Sequence, residues 1–230
     1  MKNSFEITPV AYIRSDFPTK FGIPRQSGIV SNLRSVIVFE PEYRDPEALR
    51  GIDGFTHLWL IWQFSKAVRK DWSPTVRPPR LGGNTRIGVF ATRSPYRPNS
   101  LGLSSVKLEA VEHHEEFGTV LIVSGADLMD GTPIFDVKPY IPYTDSHPDA
   151  VGGFASEPVE EKLKVIITDE MLKLIPEDKR NGLVSVLALD PRPQYHNDPD
   201  RIYGFEFSGL EVKFKVQEAV LTVTDVQPLQ

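Results

Sequence analysis

The stretch RPPRLGGNTRIGVFATRSPYRPNSLGLSS, residues 77–105, combines five arginines with four glycines and four prolines in a segment that also has strand-like composition. Interior strands rarely tolerate so much glycine and proline, because proline lacks a donor for the ladder and glycine weakens a strand. Guanidinium groups bind carboxylates and phosphates through paired N–H donors. The stretch therefore indicates a site for an anionic or carbonyl-rich ligand.

The basic charge is local, because the chain as a whole is acidic. Residues 73–108 hold six lysines and arginines and no acid, so the formal charge of −5 divides into +6 there and −11 elsewhere. Overall acidity argues against a non-specific nucleic-acid coat, whereas a local basic patch suits a defined phosphate or carboxylate ligand. Pairing of these arginines with acids from elsewhere is the structural alternative.

Three further polar segments accompany this stretch. GIPRQSGIV (22–30) places an arginine and a glutamine in a loop that enters a strand, and QFSKAVRKDW (63–72) follows an apolar run. DLMDGTPIFDVKPYIPYTDS (127–146) carries four aspartates, at 127, 130, 136 and 145. Acidic turns beside a basic strand are what a zwitterionic ligand requires. For Asp130, which precedes Gly131, capping of a turn is the alternative.

Common signatures of other enzyme classes are missing from the sequence. It has no G-x-G-x-x-G, G-x-x-x-x-G-K-[ST], G-x-S-x-G or H-E-x-x-H motif, which argues against Rossmann and P-loop enzymes, serine hydrolases and zinc proteases. There is no cysteine and the five histidines lack ligand spacing, so we expect no metal. No run reaches the about 18 apolar residues of a membrane span, and the N-terminus lacks a signal-peptide pattern. We expect a cytoplasmic protein without membrane association.

The elements that must position these residues are mostly short strands. Segments rich in β-branched and aromatic residues recur through the first two-thirds of the chain: FEITPVAYIRS, GIVSNLRSVIVFE, THLWLIWQFS, RIGVFATR, SVKLEAVEHH, GTVLIVSGADL and PIFDVKPYIP. The polar turn HHEEFGT predicts a hairpin. DPEALRGIDGF, with Asp45 as cap before Pro46, predicts a short helix. Many short strands without long helices favour a barrel or a sandwich.

A smaller α+β unit is predicted after a change in composition. Proline, glycine, serine and acidic residues dominate 146–158, which sets the predicted domains at 1–150 and 151–230. LKVIIT predicts a strand, DEMLKLIPEDKRNGLVSVLAL one or two helices, and IYGFEFSGLEVKFKVQEAVLTVTDV a hairpin that turns at Ser208–Gly209 and buries one face. The proline-broken loop DPRPQYHNDPDR between helix and hairpin suits a functional role.

The sequence resembles the TsaA-like family, the tRNA methyltransferases that add a methyl group to N6 of threonylcarbamoyladenosine beside the anticodon. The resemblance rests on IPRQSG, FTHLWLIWQF, PTVRPPRLGGNTRIGVFATRSPYRPNSLGLS and DLMDGTPIFDVKPYIPY, and DPRPQY resembles that family's C-terminal domain. It covers essentially the whole chain with the motif order preserved. It implies an enzyme that uses S-adenosylmethionine (SAM), with an N-terminal β-barrel SAM-binding domain, a small α+β domain for tRNA recognition, and a homodimer with SAM near the subunit junction.

The resemblance also implies the SAM contacts, which are Pro24, Arg25, Gln26, Ser65, Lys66, Arg93, Leu103, Asp127, Leu128, Met129, Asp130, Gly131 and Thr132. One departure is visible, because the family commonly has histidine at the position of Ser65. SAM carries a carboxylate, an ammonium, a sulfonium, ribose hydroxyls and an adenine, so its site needs both signs of charge. The basic stretch supplies the positive charge and the DLMD segment supplies the negative charge.

Methyl transfer needs no metal and no covalent enzyme intermediate, so positioning is the expected contribution of the protein. The N6–H of threonylcarbamoyladenosine is flanked by a carbonyl, and this nitrogen is a poor nucleophile until the proton leaves. A base within hydrogen-bond reach is therefore expected. The unranked candidates are Asp127, Asp130 and Asp136.

The expected partner is the anticodon arm of tRNA. The carboxylate of the acceptor's threonyl group needs a cation, and unstacked loop bases need aromatic or guanidinium platforms. Expected substrate contacts are Arg86, Arg97, Arg192 and Tyr195. Two other functions stay open: a SAM- or nucleotide-binding regulatory module without catalysis, and a methyltransferase with another acceptor.

Overall fold

The computed structural model describes residues 4–156, 163–192 and 198–229, and strands dominate these residues. The first part contains β1 (Ala11–Arg14), β2 (Arg34–Phe39), β3 (His57–Gln63), β4 (Thr75–Val76), β5 (Ile87–Gly88), β6 (Leu101–His114), β7 (Gly118–Ser124), β8 (Pro133–Pro139) and α1 (Pro142–Asp145). The second part contains β9 (Lys164–Ile166), α2 (Asp169–Leu174), α3 (Glu177–Ala188), β10 (Tyr203–Phe207), β11 (Leu210–Gln217) and β12 (Val220–Pro228). The expectation of a mostly β chain is confirmed.

Six strands of the first part form a closed barrel in the order β1-β2-β7-β6-β3-β8. The circuit closes because β8 pairs antiparallel with both β3 and β1. Side chains alternate between the two faces of each strand, so Leu58, Leu60 and Trp62 of β3 are buried. Together with inward residues of the other strands they form one apolar core. The predicted hairpin of HHEEFGT is the β6–β7 connection, in which His114 pairs with Gly118.

The segment between β3 and β6 holds most of the basic stretch and has little regular structure. RIGVFATR is predicted as a strand, but only Ile87–Gly88 is extended, in a two-residue ladder with β4. A 3₁₀ turn follows at Val89–Ala91, and the Thr92 hydroxyl donates to the Val89 carbonyl at 2.9 Å. This local side-chain bond competes with a strand ladder, so the prediction is wrong beyond Gly88.

The predicted helix DPEALRGIDGF consists of two 3₁₀ turns, Pro46–Leu49 and Ile52–Gly54. The predicted cap is present, because the Asp45 carboxylate accepts from the Glu47 backbone N–H at 3.0 Å. Gly51, with φ of 83°, separates the two turns and prevents a continuous helix.

The second part is a four-stranded sheet, in the order β10-β11-β12-β9, with β9 parallel to β12. The turn at Ser208–Gly209 is where the sequence places it, and both residues have positive φ, 51° and 77°, as a two-residue hairpin requires. The predicted hairpin extends into a third strand, because the chain turns again at Glu218, with φ of 53°. The predicted buried face is confirmed by Tyr203, Phe205 and Phe207.

The core of the second part recruits residues from the N-terminal half of the chain. Phe17, Val30 and Leu33, from the connection between β1 and β2, belong to the same buried cluster as the aromatic residues of β10 and β11. Gly182 lets α3 approach this connection, since a Cβ there would lie 2.8 Å from a methyl carbon of Leu33. The β1–β2 connection is therefore anchored in the second core, not only in the barrel.

A largely buried ion pair joins the two parts of the chain. Asp16, which follows β1 and is 9% exposed, accepts from the Lys179 ammonium of α3 at 2.9 Å through both carboxylate oxygens. The Asp16 carbonyl also accepts from the Ser208 N–H at 2.8 Å. Removal of one partner leaves a charge with little access to water, which costs more than the pair contributes.

We predict that Lys179→Met lowers the free energy of unfolding by about 1–3 kcal/mol, because the Asp16 carboxylate loses its partner. The double variant Asp16→Asn, Lys179→Met is expected to recover part of this loss, since no charge remains buried. Urea unfolding of the parent, both single variants and the double variant measures the coupling. Additive effects of the two substitutions would contradict the assigned contact.

Candidate functional site

The candidate site is centred on Asp127, three residues after the end of β7. The Ser104 hydroxyl donates to the Asp127 carboxylate at 2.6 Å, and the Trp62 indole N–H donates to the Ser104 oxygen at 3.0 Å. Ser104 and Trp62 are buried, at 1% and 5% exposure. A chain of hydrogen bonds therefore runs from the interior of the barrel to one carboxylate.

Burial raises the pKa of Asp127 above the ordinary carboxyl value of 3.8. The hydrogen bond from Ser104, the backbone N–H of Asp127 itself, the charge of Arg93 and the backbone N–H of Ser27 act in the opposite direction. Desolvation outweighs them, so this carboxyl holds a proton more readily than an exposed aspartate does. Such a shift is typical of carboxylates that act in proton transfer.

Gly102 makes room for the start of this chain. Trp62 and Gly102 are direct partners in the β3–β6 ladder. A Cβ at position 102 would lie 2.3 Å from a carbon of the Trp62 indole. The missing side chain thus lets the indole lie against the neighbouring strand, where its N–H reaches Ser104.

Arg93 faces Asp127 from the basic segment. Its guanidinium donates to the Gln26 side-chain oxygen at 2.5 Å, and the Gln26 amide nitrogen donates to the Arg25 carbonyl at 2.6 Å. Because the charge of Arg93 lowers the pKa of Asp127, the two groups are close enough to interact. The predicted residues Gln26, Arg93 and Asp127 are thereby brought together from three separate segments.

Arg97 positions the loop that carries Arg93. Its guanidinium donates to the carbonyl oxygens of Thr92 and Ser94, at 2.9 and 3.5 Å, on either side of Arg93. Arg97 was predicted to bind the substrate, and the structure uses its Nη1 to hold the backbone of this loop. The other predicted substrate cation of this segment, Arg86, is exposed and donates to the Thr75 hydroxyl at 3.1 Å.

Residues 128–132, all predicted SAM contacts, form a turn tied to β1. Leu128 lies in the barrel core at 1% exposure, and the Met129 carbonyl accepts from the backbone N–H and hydroxyl of Thr132. The Asp130 carboxylate accepts from the Ser15 N–H at 3.0 Å and lies 3.8 Å from Arg14. The Gly131 N–H donates to a β1 carbonyl. These contacts fix the turn that follows Asp127 against β1 and the segment after it.

The remaining predicted SAM contacts lie at the surface or beside the cluster. Ser65 and Lys66 are exposed directly after β3, and Leu103 is 57% exposed on the outer face of β6. Pro24 is buried and Arg25 is exposed in the loop of Gln26.

Two predicted functional groups are engaged elsewhere, and one lies outside the described residues. Asp136 is in β8, in an exposed ion pair with Lys138 at 2.9 Å, apart from the Asp127 cluster. Arg192 makes two hydrogen bonds to Asp190, at 2.8 and 2.7 Å, and this pairing raises the pKa of Arg192. Tyr195 falls among residues 193–197, which are not described.

Sequence reasoning missed Ser104 and Trp62. Trp62 lies in the barrel core, and its indole N–H also donates to Ser104. The available signal was the alternation LGLSS in β6, in which Gly102 and Ser104 share the inward face.

Two clefts elsewhere, of ≈ 230 and ≈ 350 Å³, are lined by Tyr12, Arg44 and Phe117 and by Arg34, Glu112 and Lys179, among others. Asp127 lines neither cleft.

The described residues thus form a closed β-barrel that holds one largely buried carboxylate, Asp127, within electrostatic range of one guanidinium, that of Arg93. Among residues 4–156, 163–192 and 198–229 there is no group of three potential metal ligands, and no helix there is long and apolar enough to cross a membrane.

Comparison with known proteins identifies the family. A family model described as the tRNA-methyltransferase O N-terminal domain matches residues 12–146, and a TrmO C-terminal domain model matches residues 160–229. The chain belongs to the tRNA-methyltransferase O (TrmO) family.

Relatives and solved structures agree with this assignment. The Escherichia coli tRNA (adenine(37)-N6)-methyltransferase is 38% identical over 98% of this chain and 99% of its own. A putative S-adenosylmethionine-dependent methyltransferase, RcsF, of Pseudomonas aeruginosa is 39% identical over 90% of both chains. The crystal structure of TrmO from P. aeruginosa superposes with a TM-score of 0.81 at 33% identity, over 100% of this chain and 99% of that one.

We predict that Gly102→Ala destabilises the protein by about 1–3 kcal/mol, because the new methyl group overlaps the Trp62 indole. The matched control is Gly88→Ala, since a Cβ at Gly88 meets nothing within 4 Å and its φ is negative, −56°. Thermal unfolding and tryptophan fluorescence of both variants measure the effect. Equal stability of the two variants would contradict the close contact between Gly102 and Trp62.

Proposed function

We propose that this chain is a SAM-dependent methyltransferase that methylates N6 of the adenosine at position 37 of tRNA, in its threonylcarbamoylated form. The observation that carries the proposal is the end-to-end similarity to the E. coli enzyme named for this reaction. The Asp127 cluster supports it independently, because it offers a carboxyl with a raised pKa next to a cation.

The residues around Asp127 fit the polar groups of SAM. Arg93 has five N–H donors, of which the bond to Gln26 uses one, so the guanidinium retains donors for a carboxylate. Lys66 is a second exposed cation, and the carbonyl and amide groups of the Gln26 loop suit an adenine edge or a ribose. We assign the methionine carboxylate to Arg93. When bound, SAM supplies the methyl group, activated by the positive charge of its sulfonium.

Asp127 is the proposed base. The N6–H of the acceptor is acidified by the adjoining carbonyl, so a carboxylate within hydrogen-bond reach can accept the proton. Ser104 donates to one carboxylate oxygen of Asp127 and so fixes the orientation of the carboxylate that would accept the proton. Asp136 is less suited, since it is already engaged in an exposed ion pair with Lys138.

The larger arrangement is proposed as follows. Residues 1–150 form the SAM-binding catalytic domain, and residues 151–230 form a domain that contacts the anticodon arm, with Arg86 on the barrel side and Arg192 and Tyr195 on the other. The exposed Leu103, on the outer face of β6, favours a homodimer in which the second subunit covers the cofactor. A cytoplasmic location would place the enzyme with its tRNA substrate.

The test combines purified protein, SAM with a labelled methyl group and bulk tRNA from cells that lack the endogenous enzyme. Label is expected in RNA, and nucleoside mass spectrometry should place it on N6-methyl-threonylcarbamoyladenosine. Label in protein or a small molecule would assign another acceptor. SAM binding without any labelled product would indicate a SAM-binding module without catalytic activity.

Asp127→Asn is expected to lower turnover by about 10²–10⁴-fold, since the amide cannot accept the proton. The parent's rate should rise with pH through the raised pKa of Asp127, because the deprotonated form is active, and the variant should lose this inflection. Asp136→Asn should retain both turnover and inflection.

The same substitution should not cost stability at neutral pH. A carboxyl whose pKa is raised by folding destabilises the folded state once it ionises, so Asp127→Asn should increase the unfolding temperature at neutral pH. The gain should vanish at pH values below the ordinary carboxyl pKa, where both side chains are neutral. A variant that loses stability at neutral pH would contradict the assigned burial.

A further inference from the structure

Two aromatic rings lie together at the surface of the segment that carries Arg93. Trp72 and Phe90 are 53% and 73% exposed, and their ring centroids are 6.1 Å apart with an interplanar angle of 35°. The other two tryptophans, Trp59 and Trp62, are partly or almost fully buried. Exposed apolar surface of this kind marks a binding surface more often than a structural one.

The fold holds both rings in place without covering them. Trp72 shortly precedes β4 and Phe90 shortly follows β5, so the β4–β5 ladder joins their backbones. The Val89 N–H donates to the Pro74 carbonyl at 2.9 Å, and the Val89 side chain is anchored at 1% exposure. The two rings are therefore pre-positioned, which reduces the entropy lost when a ligand stacks on them.

The surroundings of the rings are strongly basic. Residues 65–100 contain eight lysines and arginines and one acid, Asp71, in a chain whose net charge is −5. One of these cations, Arg69, lies over the Tyr96 ring at 3.9 Å, as a guanidinium does when it stacks. Aromatic faces among cations are the combination that binds single-stranded nucleic acid.

We propose that Trp72 and Phe90 form a stacking platform for unpaired bases of the anticodon loop that flank the target adenosine. This inference rests on the proposed function and specifies where the RNA loop lies. The platform is near the site in sequence, because Phe90 precedes Arg93 by three residues, and Arg97 holds the intervening turn. A base stacked here would keep the loop open beside the Asp127 carboxylate.

A second copy of this chain is the other occupant to consider, and charge argues against it. A two-fold contact centred on the two rings would bring the same positively charged patch of both copies together. Repulsion among like charges disfavours such a contact. The polyanionic loop of tRNA has the complementary charge.

The test measures binding of a synthetic anticodon stem-loop that carries N6-threonylcarbamoyladenosine, with full-length protein, and in parallel the binding of SAM. Trp72→Ala and Phe90→Ala are each expected to weaken stem-loop binding about ten- to a hundredfold, with an unchanged salt dependence and unchanged SAM affinity. Trp72→Phe and Phe90→Tyr keep a ring and should bind within about twofold of the parent.

Tyr43→Ala is the matched control, because Tyr43 is also an exposed aromatic residue, 37% exposed. Its neighbour Arg44 donates to the Glu116 carbonyl in the β6–β7 turn, at the end of β7 opposite to Asp127. This variant should bind the stem-loop as the parent does. Circular dichroism and the unfolding temperature check that all variants are folded.

Three results would overturn the platform. Both alanine variants could bind the stem-loop with parental affinity, they could lose SAM affinity in parallel, or they could change the oligomeric state of the free protein in sedimentation. The last would place the rings in a subunit interface. Failure of the proposed function looks different, since the parent itself would then bind the stem-loop without methylating it, or not bind SAM.

Discussion

The site depends on how the barrel places a carboxylate where water has limited access. Ionised aspartate is costly in such a place unless donors compensate it. The barrel supplies one through Ser104, whose own oxygen accepts from the Trp62 indole. The indole can occupy that position only because Gly102 has no side chain. Register across two strands thereby supplies a donor that partly offsets the effect of burial on the pKa of Asp127.

Arg93, the cation of the site, is positioned by different means, because the segment between β3 and β6 has little strand pairing to fix it. A two-residue ladder, a 3₁₀ turn and the Arg97 contacts to two carbonyls replace extended pairing. Proline and glycine are compatible with such a segment, whereas both are disfavoured in an interior strand. The composition that looks unsuited to a strand is therefore suited to a loop that must hold Arg93 and leave its guanidinium accessible.

Sequence reasoning located the members of this cluster by type and missed how they are connected. The resemblance to the TsaA-like family led to Gln26, Arg93 and Asp127, and alternation led to most strands. Ser104 and Trp62 could not be assigned roles, since their contacts depend on register between strands 42 residues apart in sequence. From the sequence alone, Asp130 and Asp136 are candidates for the base on the same grounds as Asp127. In the structure, the Asp130 carboxylate accepts from the Ser15 backbone N–H and the Asp136 carboxylate pairs with Lys138.

The loop of Gln26 connects the candidate site to the C-terminal part of the protein. Phe21 and Ile23 before it, and Val30 after it, pack into the C-terminal core. Gly22 lies against Phe205 so closely that a Cβ would be 2.6 Å from the ring. Gln26 therefore receives its position from the second core and its hydrogen bond from the barrel segment. The C-terminal core therefore holds the loop whose Gln26 accepts from Arg93, so both parts of the chain contribute to the arrangement around Asp127.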